Sequence, residues 1–213
     1  QVTALRPVEI HDLLRREPVR TDLQAVKKLV VGETLLVTGA GGSIGSELCR
    51  QLSQFNPRRV VLLGHGENSI FEILQELEGR FPKIEFIPAI ADIRDPERLI
   101  GIQRMCDPAA VFHSAAHKHV PMMEHNVAEA ITNNVLGTRN VVEVAALSGV
   151  GHLVCLSTDK AIRPTSIMGT TKRVAEQVVQ HGAQEHKKDF VAVRFGNVLG
   201  SRGSVLPIFL RQI

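Results

Sequence analysis

From residue 32 onward the chain alternates short apolar runs with longer segments of helical period. Runs rich in Val, Leu, Ile and Ala occupy 34–38, 59–63, 84–90, 109–113, 152–157 and 190–195. Runs of that length with little polar alternation belong to strands covered on both faces. Between them, apolar residues recur every three or four positions over 44–55, 68–81, 96–106, 127–148 and 167–186, the spacing of helices that bury one side. Six strands joined by crossover helices predict an α/β domain. Its expected architecture is a Rossmann-like, doubly wound parallel sheet in the order 3-2-1-4-5-6.

Residues 1–31 show no strand pattern. LRPVEIHDLLRREPVR reads as an arm, and TDLQAVKKLVV as a short amphipathic helix leading into the sheet domain of 32–213. A plain linker is the other reading. The chain begins at Gln1 and ends within the apolar run SVLPIFLRQI, so both ends read as cuts in a longer protein.

Composition narrows the class. Hydrophobic residues make up 44% of the chain and aromatic ones only 4%, which suits an aliphatic core of parallel strands under helices. The net charge is +3 and the cations form no long run, so nucleic acid is not expected as a partner. Cys49, Cys106 and Cys155 have no CxxC spacing and read as buried or semi-buried thiols of a reducing compartment. No apolar run approaches the roughly 20 residues that span a bilayer, so no membrane contact is expected of this piece.

The first strand runs into TGAGGSIGSEL, with Gly39, Gly42 and Gly45 in GxxGxxG spacing and Ser43 and Ile44 opening the helix. Gly39 permits the tight turn, Gly42 the approach of a pyrophosphate, and Gly45 close helix–strand packing. The helix N-terminus then offers free N–H groups and partial positive charge to the phosphates. This predicts a dinucleotide site. A ribose-binding acid is expected about 20 residues on, but the second strand ends in Gly64-His65-Gly66-Glu67. NADP is therefore mildly favoured over NAD, with Glu67 still able to reach a ribose. Asp92, with Ile93 beside it, is the candidate for the adenine; an N-cap before Pro96 is the other reading of Asp92.

The fourth strand ends in HSAAHKHVPMMEHN, at the switch point where ligands bind in such sheets. Ala115 and Ala116 are small enough to let the cofactor pass. Lys118 suits a substrate diphosphate, or else a solvated loop. The histidines lack companions with tetrahedral ligand spacing, so no metal is expected. Asn133, Asn134 and Thr138 fall inside a helical segment that they disfavour. An inward polar role, with Asn134 toward substrate, competes there with a helix–helix contact.

The fifth strand carries the most specific signal. LSTDKAIRPTSIMGTTK places Ser157, Thr158, Asp159 and Lys160 at the strand end, and Met168 four residues before Lys172. After the sixth strand, FGNVLGSRGS offers Asn197 and Arg202 to a sugar or phosphate.

Together these blocks resemble the extended short-chain dehydrogenase/reductases. Within them the chain is similar to the polysaccharide-biosynthesis, capsule-type UDP-N-acetylglucosamine 4,6-dehydratases. TGAGGSIGSEL, AAHKHVPMME, NNVLGT, STDKA, MGTTKRVAE and RFGNVLGSRGSV carry the resemblance, and LRPVEIHDLLRREPV resembles the linker of the large, membrane-anchored members. In the wider superfamily the Met168 position is a Tyr that serves as base; this chain has no Tyr at all, and a thioether cannot take a proton near neutral pH.

The resemblance implies a tightly bound NADP or NAD, recycled in each turnover, and a UDP-sugar substrate that loses water across C5–C6. It implies Asp159 as the acid for the 6-hydroxyl, Lys160 as the base at C5, Thr158 at the 4-hydroxyl and Lys172 at the nicotinamide ribose. Asp159 and Lys160 must each take the less usual protonation state, which close apposition in a dry cleft would favour. It further implies a homo-oligomer, a parent on the cytoplasmic face of a bacterial inner membrane, and a domain truncated before most of the C-terminal substrate-binding part. A nucleotide-sugar 4-epimerase and a non-catalytic dinucleotide-binding module are the competing readings.

Overall fold

The computed structural model describes residues 22–198. The arm up to residue 21 and Arg202 lie outside them. Helix α1 (Leu23–Val30) starts at Asp22, whose Oδ1 accepts from the amides of Gln24 and Ala25 at 3.0 and 3.2 Å. Val30, at its end, is buried in the core, so the stretch that also reads as a linker packs as a helix.

Six parallel strands follow: β1 (Thr34–Thr38), β2 (Arg59–Gly64), β3 (Glu85–Ile90), β4 (Ala110–His113), β5 (His152–Thr158) and β6 (Asp189–Phe195). Their order is β3-β2-β1-β4-β5-β6, as the alternating pattern predicts. Five helices make the crossovers or their main parts: α2 (Ser43–Ser53), α3 (Glu67–Arg80), α4 (Pro96–Cys106), α7 (Thr138–Leu147) and α8 (Ile167–His186). Successive strand residues point to opposite faces, and both faces are covered. Leu35, Val37, Val60, Leu62 and Phe112 pack on the α2–α3 side. Leu36, Val61, Leu63, Val111, Leu153 and Phe190 pack on the α4, α7 and α8 side. All three cysteines are unpaired and buried. Among the described residues no helix is long and apolar enough to cross a membrane.

Two departures concern the site. The continuous helix expected over 127–148 is interrupted. It forms as α6 (Val127–Ile131), a π-helical turn (Thr132–Gly137) and then α7. The Asn pair lies inside the widened turn, where amide side chains compete with the helix ladder; such turns mark functional sites frequently. A short helix, α5 (Val120–His125), also forms where no helix is expected. At six residues it is too brief to show a period. Its Met123 packs with Ala130 and Met168 in a small apolar cluster set apart from the two main ones.

Leu153 is fully buried near the start of β5. Leu153→Ala should lower unfolding free energy by roughly 2–5 kcal/mol, the usual cost of a core cavity. Urea denaturation measures it, and a loss well below that range would mean that the sheet relaxes into the space.

Candidate active site

The strand ends of β1, β2, β3 and β4 frame a cleft of about 280 Å³. Its walls are the glycine turn, the β2 tip at Gly64–Gly66, Ser69 of α3, Asp92 and Ile93, and the loop Ser114–His117. Gly39 has φ +68°, and a Cβ there would lie 2.8 Å from the Ala115 amide nitrogen. A Cβ on Gly45 would overlap the Gly39 carbonyl oxygen. Gly42 is the N-cap of α2, with no side chain of its own to satisfy the first amides, and Ser43 and Ile44 form the first turn. Two close backbone approaches and an uncapped helix start make a cradle that fits a pyrophosphate. Ala115 and Ala116 also line this cleft.

At the adenosine end Asp92 and Ile93 line the cleft, and the cap reading of Asp92 is overturned. Asp92 is not the cap of α4; that is Asp95, whose Oδ1 accepts from the Arg98 amide at 3.0 Å. Asp92 is gripped instead by Arg94, with Nη2 on Oδ2 at 2.6 Å and Nε on Oδ1 at 3.0 Å. Those donors hold its carboxyl below the usual range despite partial burial. Arg94 also reaches Glu129, at 2.9 Å. At the β2 tip, His65 and Ser69 line the cleft, whereas Glu67 is exposed and does not. Ser69 carries no sequence signal: only the fold brings the first turn of α3 against the glycine loop.

A buried hydrogen-bond chain fixes the fourth strand's loop. The His113 ring lies between Thr38 Oγ1 (2.7 Å from Nδ1) and Thr138 Oγ1 (3.0 Å from Nε2). Thr138 donates its one hydroxyl proton to the Asn134 carbonyl at 2.7 Å. His113 Nε2 must therefore carry a proton and donate to Thr138. Nδ1 is then bare and accepts from Thr38. Burial, reinforced by the charge of Lys172, pushes the His113 pKa down to about 3, consistent with a neutral ring.

Asn134, expected from the sequence to face substrate, has its amide fully engaged. Oδ1 accepts from the His117 amide at 2.8 Å, and Nδ2 donates to the His117 carbonyl and to Thr171 Oγ1 at 3.0 and 3.1 Å. It ties the β4 loop to α8. Asn140 does the same for the third strand, donating to the Ile93 carbonyl at 3.1 Å. Lys118 is exposed on the β4 loop.

At the tip of β5, Thr158 Oγ1 donates to Asp159 Oδ1 at 2.9 Å, and Lys160 Nζ donates to the same oxygen at 3.1 Å. Lys160 Nζ also donates to Asn197 Oδ1 at 3.0 Å, across from β6. The Thr158 hydroxyl and then the Lys160 amine hold the Asp159 carboxyl below its ordinary value. The side chains of Lys160 and Asp159 are 40% and 51% exposed. As it stands, Asp159 is a carboxylate. Lys172 is buried and donates to the Leu156 carbonyl at 2.7 Å. Met168 is 3% exposed, set among Met123 and Ala130. A Cβ on its neighbour Gly169 would lie 2.6 Å from the Lys160 carbonyl, so α8 starts hard against the Asp159–Ala161 turn. Glu124 of α5 steadies that start, accepting from the Ile167 amide at 2.8 Å.

With the geometry in hand, comparison with known proteins is informative. The family model described as "Polysaccharide biosynthesis protein" matches residues 35–213. The capsular polysaccharide biosynthesis protein CapD of Staphylococcus aureus is 54% identical over 215 residues, covering 100% of this chain and 36% of that protein. An inverting UDP-N-acetylglucosamine 4,6-dehydratase of Campylobacter jejuni is 35% identical, covering 85% of this chain and 54% of that one. A UDP-glucose 4-epimerase of Rickettsia bellii is also 35% identical, covering 87% and 54%. Among solved structures, Pen from Bacillus thuringiensis superposes with a TM-score of 0.80 at 34% identity, covering 87% of this chain and 58% of that one. The chain thus spans between about a third and just over half of these relatives' lengths.

Gly45→Ala should abolish measurable dinucleotide binding by calorimetry while the domain stays folded, because the added methyl displaces the Gly39 carbonyl that shapes the cradle. His113 gives a pH signature. With a folded pKa near 3 against an ordinary 6.5, only the unfolded state gains this proton between those values. Its contribution is complete above pH 6.5 and is lost as pH falls toward 3, at up to roughly 1.4 kcal/mol per pH unit. His113→Gln should flatten the fall in stability measured in urea between pH 7 and pH 5; an unchanged slope would mean that the ring is not the neutral, buried group described.

Proposed function

Given that this chain belongs to the polysaccharide biosynthesis protein family, we propose that it carries the dinucleotide site and acid–base pair of a nucleotide-sugar 4,6-dehydratase acting on UDP-N-acetylglucosamine. The observation that carries this reading is the contact of Asp159 with Lys160 at the strand tip, shared with Thr158 on one side and Asn197 on the other. Elimination of water next to a carbonyl needs an acid for the leaving hydroxyl and a base for the acidified C–H. An epimerase needs neither, since nothing leaves the sugar.

NAD or NADP fits the cradle of Gly39, Gly42, Ser43, Ile44 and Gly45, with Asp92, Ile93, Ala115 and Ala116 along its length. Held there, the nicotinamide would supply hydride transfer from C4 to C6 of the sugar within one turnover. Thr158 Oγ1 binds the 4-hydroxyl and passes its proton to the Asp159 carboxylate 2.9 Å away. That route replaces the phenol absent at Met168. Asp159, now protonated, gives the proton to the departing 6-hydroxyl, which leaves as water. Lys160, as the free amine, takes the C5 proton and returns one to C5 after C6 is reduced. A sugar seated over the pair excludes water and disfavours its charged forms, and protonating Asp159 removes the anion that stabilises the Lys160 ammonium. The dry cleft is thereby supplied by the substrate. Lys172 would bind the nicotinamide ribose. Lys118, Asn197 and Arg202 are the proposed contacts to the sugar nucleotide. Asn134 holds the wall beside it through the His117 backbone.

Incubation with UDP-N-acetylglucosamine and the dinucleotide, followed by mass spectrometry, should show a product lighter by one water with no net cofactor reduction. Asp159→Asn should slow this by roughly 10²–10⁴-fold, the range for a positioned acid. An unchanged mass with inversion at C4 would move the chain to the epimerases, which the Rickettsia relative represents. Binding of dinucleotide with no product would leave a binding module.

A further inference from the structure

The acid–base pair rests on a second, buried cluster. Glu176 of α8 is 7% exposed, yet four donors converge on its carboxylate. Ser157 Oγ and Arg194 Nε reach Oε1 at 2.6 and 2.7 Å. Arg194 Nη2 and Arg173 Nη1 reach Oε2 at 2.6 and 3.2 Å. Burial works against the charge, but these donors outweigh it and hold the carboxyl at about 2. An apolar side chain of similar volume would often serve stability as well as such a cluster. What the fork adds is direction, because a bidentate guanidinium fixes the plane of its partner.

Ser157 and Arg194 are opposite each other in the β5–β6 register, followed by Thr158 opposite Phe195. Immediately beyond lie Asp159 and Lys160 on one strand and Gly196 and Asn197 on the other. The backbone ladder with β5 runs to the end of β6, but the side chains of that end are little buried. Val191, Val193 and Phe195 are 48%, 39% and 37% exposed, and among its residues only Phe190 is fully buried. We propose that Glu176 is a positioning residue: by binding Ser157 and Arg194 together it levels the two strand tips, so that Asn197 meets Lys160 and holds its amine beside Asp159. The proposal deepens the acid–base reading above and rests on it for its catalytic meaning, though the geometry itself can be tested without turnover.

The test is the reactivity of the Lys160 amine toward acetic anhydride at fixed pH, read by peptide mass spectrometry, in the protein and in Glu176→Gln, Asn197→Ala and the double variant. Removing the acceptor Asn197 should speed labelling by about threefold, the low end of what one net hydrogen bond contributes, as suits a half-exposed pair. Glu176→Gln should give a similar gain, and the double variant no more than either single one. Dinucleotide affinity, set by β1–β4, should stay within about twofold in all three. Arg194→Lys, which keeps the charge but loses the fork, should reproduce the gain and covers the case in which Glu176→Gln does not fold. Unchanged labelling in Glu176→Gln and Arg194→Lys, additive gains in the double variant, or dinucleotide affinity falling together with thermal stability would each overturn the proposal and leave Glu176 as a general scaffold group. If the unaltered protein fails to dehydrate the sugar while these labelling results hold, the functional reading fails and the positioning stands.

Discussion

The wall of the cleft at the ends of β1 and β4 depends on one buried ring. His113 ends β4 at the point where the sheet's winding reverses, and its two nitrogens join the tip of β1 to the π-helical turn through Thr38 and Thr138. A polar group so deep is tolerated only when both of its valences are met. Here a single tautomer meets them. The consequence reaches outward. Thr138 holds the Asn134 backbone, Asn134 holds both the backbone N–H and the carbonyl of His117, and the same amide reaches Thr171 on α8. The wall of the dinucleotide cleft and the helix bearing Lys172 are thus set by one continuous network rather than by separate contacts. The widened helical turn follows from the same demand, since it places Asn134 where it can face the β4 loop.

The two halves of the sheet divide the work in a physically sensible way. The β1–β4 half offers backbone: glycine approaches, an uncapped helix start and small alanines. These suit a long, charged ligand that must be met by N–H groups at close range. The β5–β6 half offers side chains with opposed charge, Asp159 against Lys160 at the tip and Glu176 against two arginines beneath it. The upper pair is half exposed. In the lower cluster the Glu176 carboxylate is buried while the two arginines that hold it are partly exposed.

The alternating apolar runs carried the strand order, because covered parallel strands leave no other sequence pattern and crossover handedness leaves few topologies. The glycine turn was equally legible, since strand, turn and helix are contiguous in the chain. Legibility fell where partners are distant. Asp92 is read from the sequence as an adenine contact or a cap, but Arg94 grips it while Arg94 also answers to Glu129, 35 residues on. Asn134 faces inward as its poor helix propensity suggests, yet what it meets is the His117 backbone, which no local pattern announces. That Asp159 and Lys160 meet Thr158 and Asn197 at the tip of β5 is likewise settled by residues up to 37 positions apart.

By itself, the sequence determined the sheet, its winding, the phosphate cradle and the set of reactive side chains at the end of β5. Each of these is written in neighbouring residues and in their period. Only the tertiary structure decided the tautomer of His113, the engagement of Asn134, the burial of Met168 against Met123 and the carboxylate of Glu176 between β5 and β6. Those are matters of which polar group finds which partner once water is excluded. The exclusion is a property of the packed fold, not of any stretch of chain.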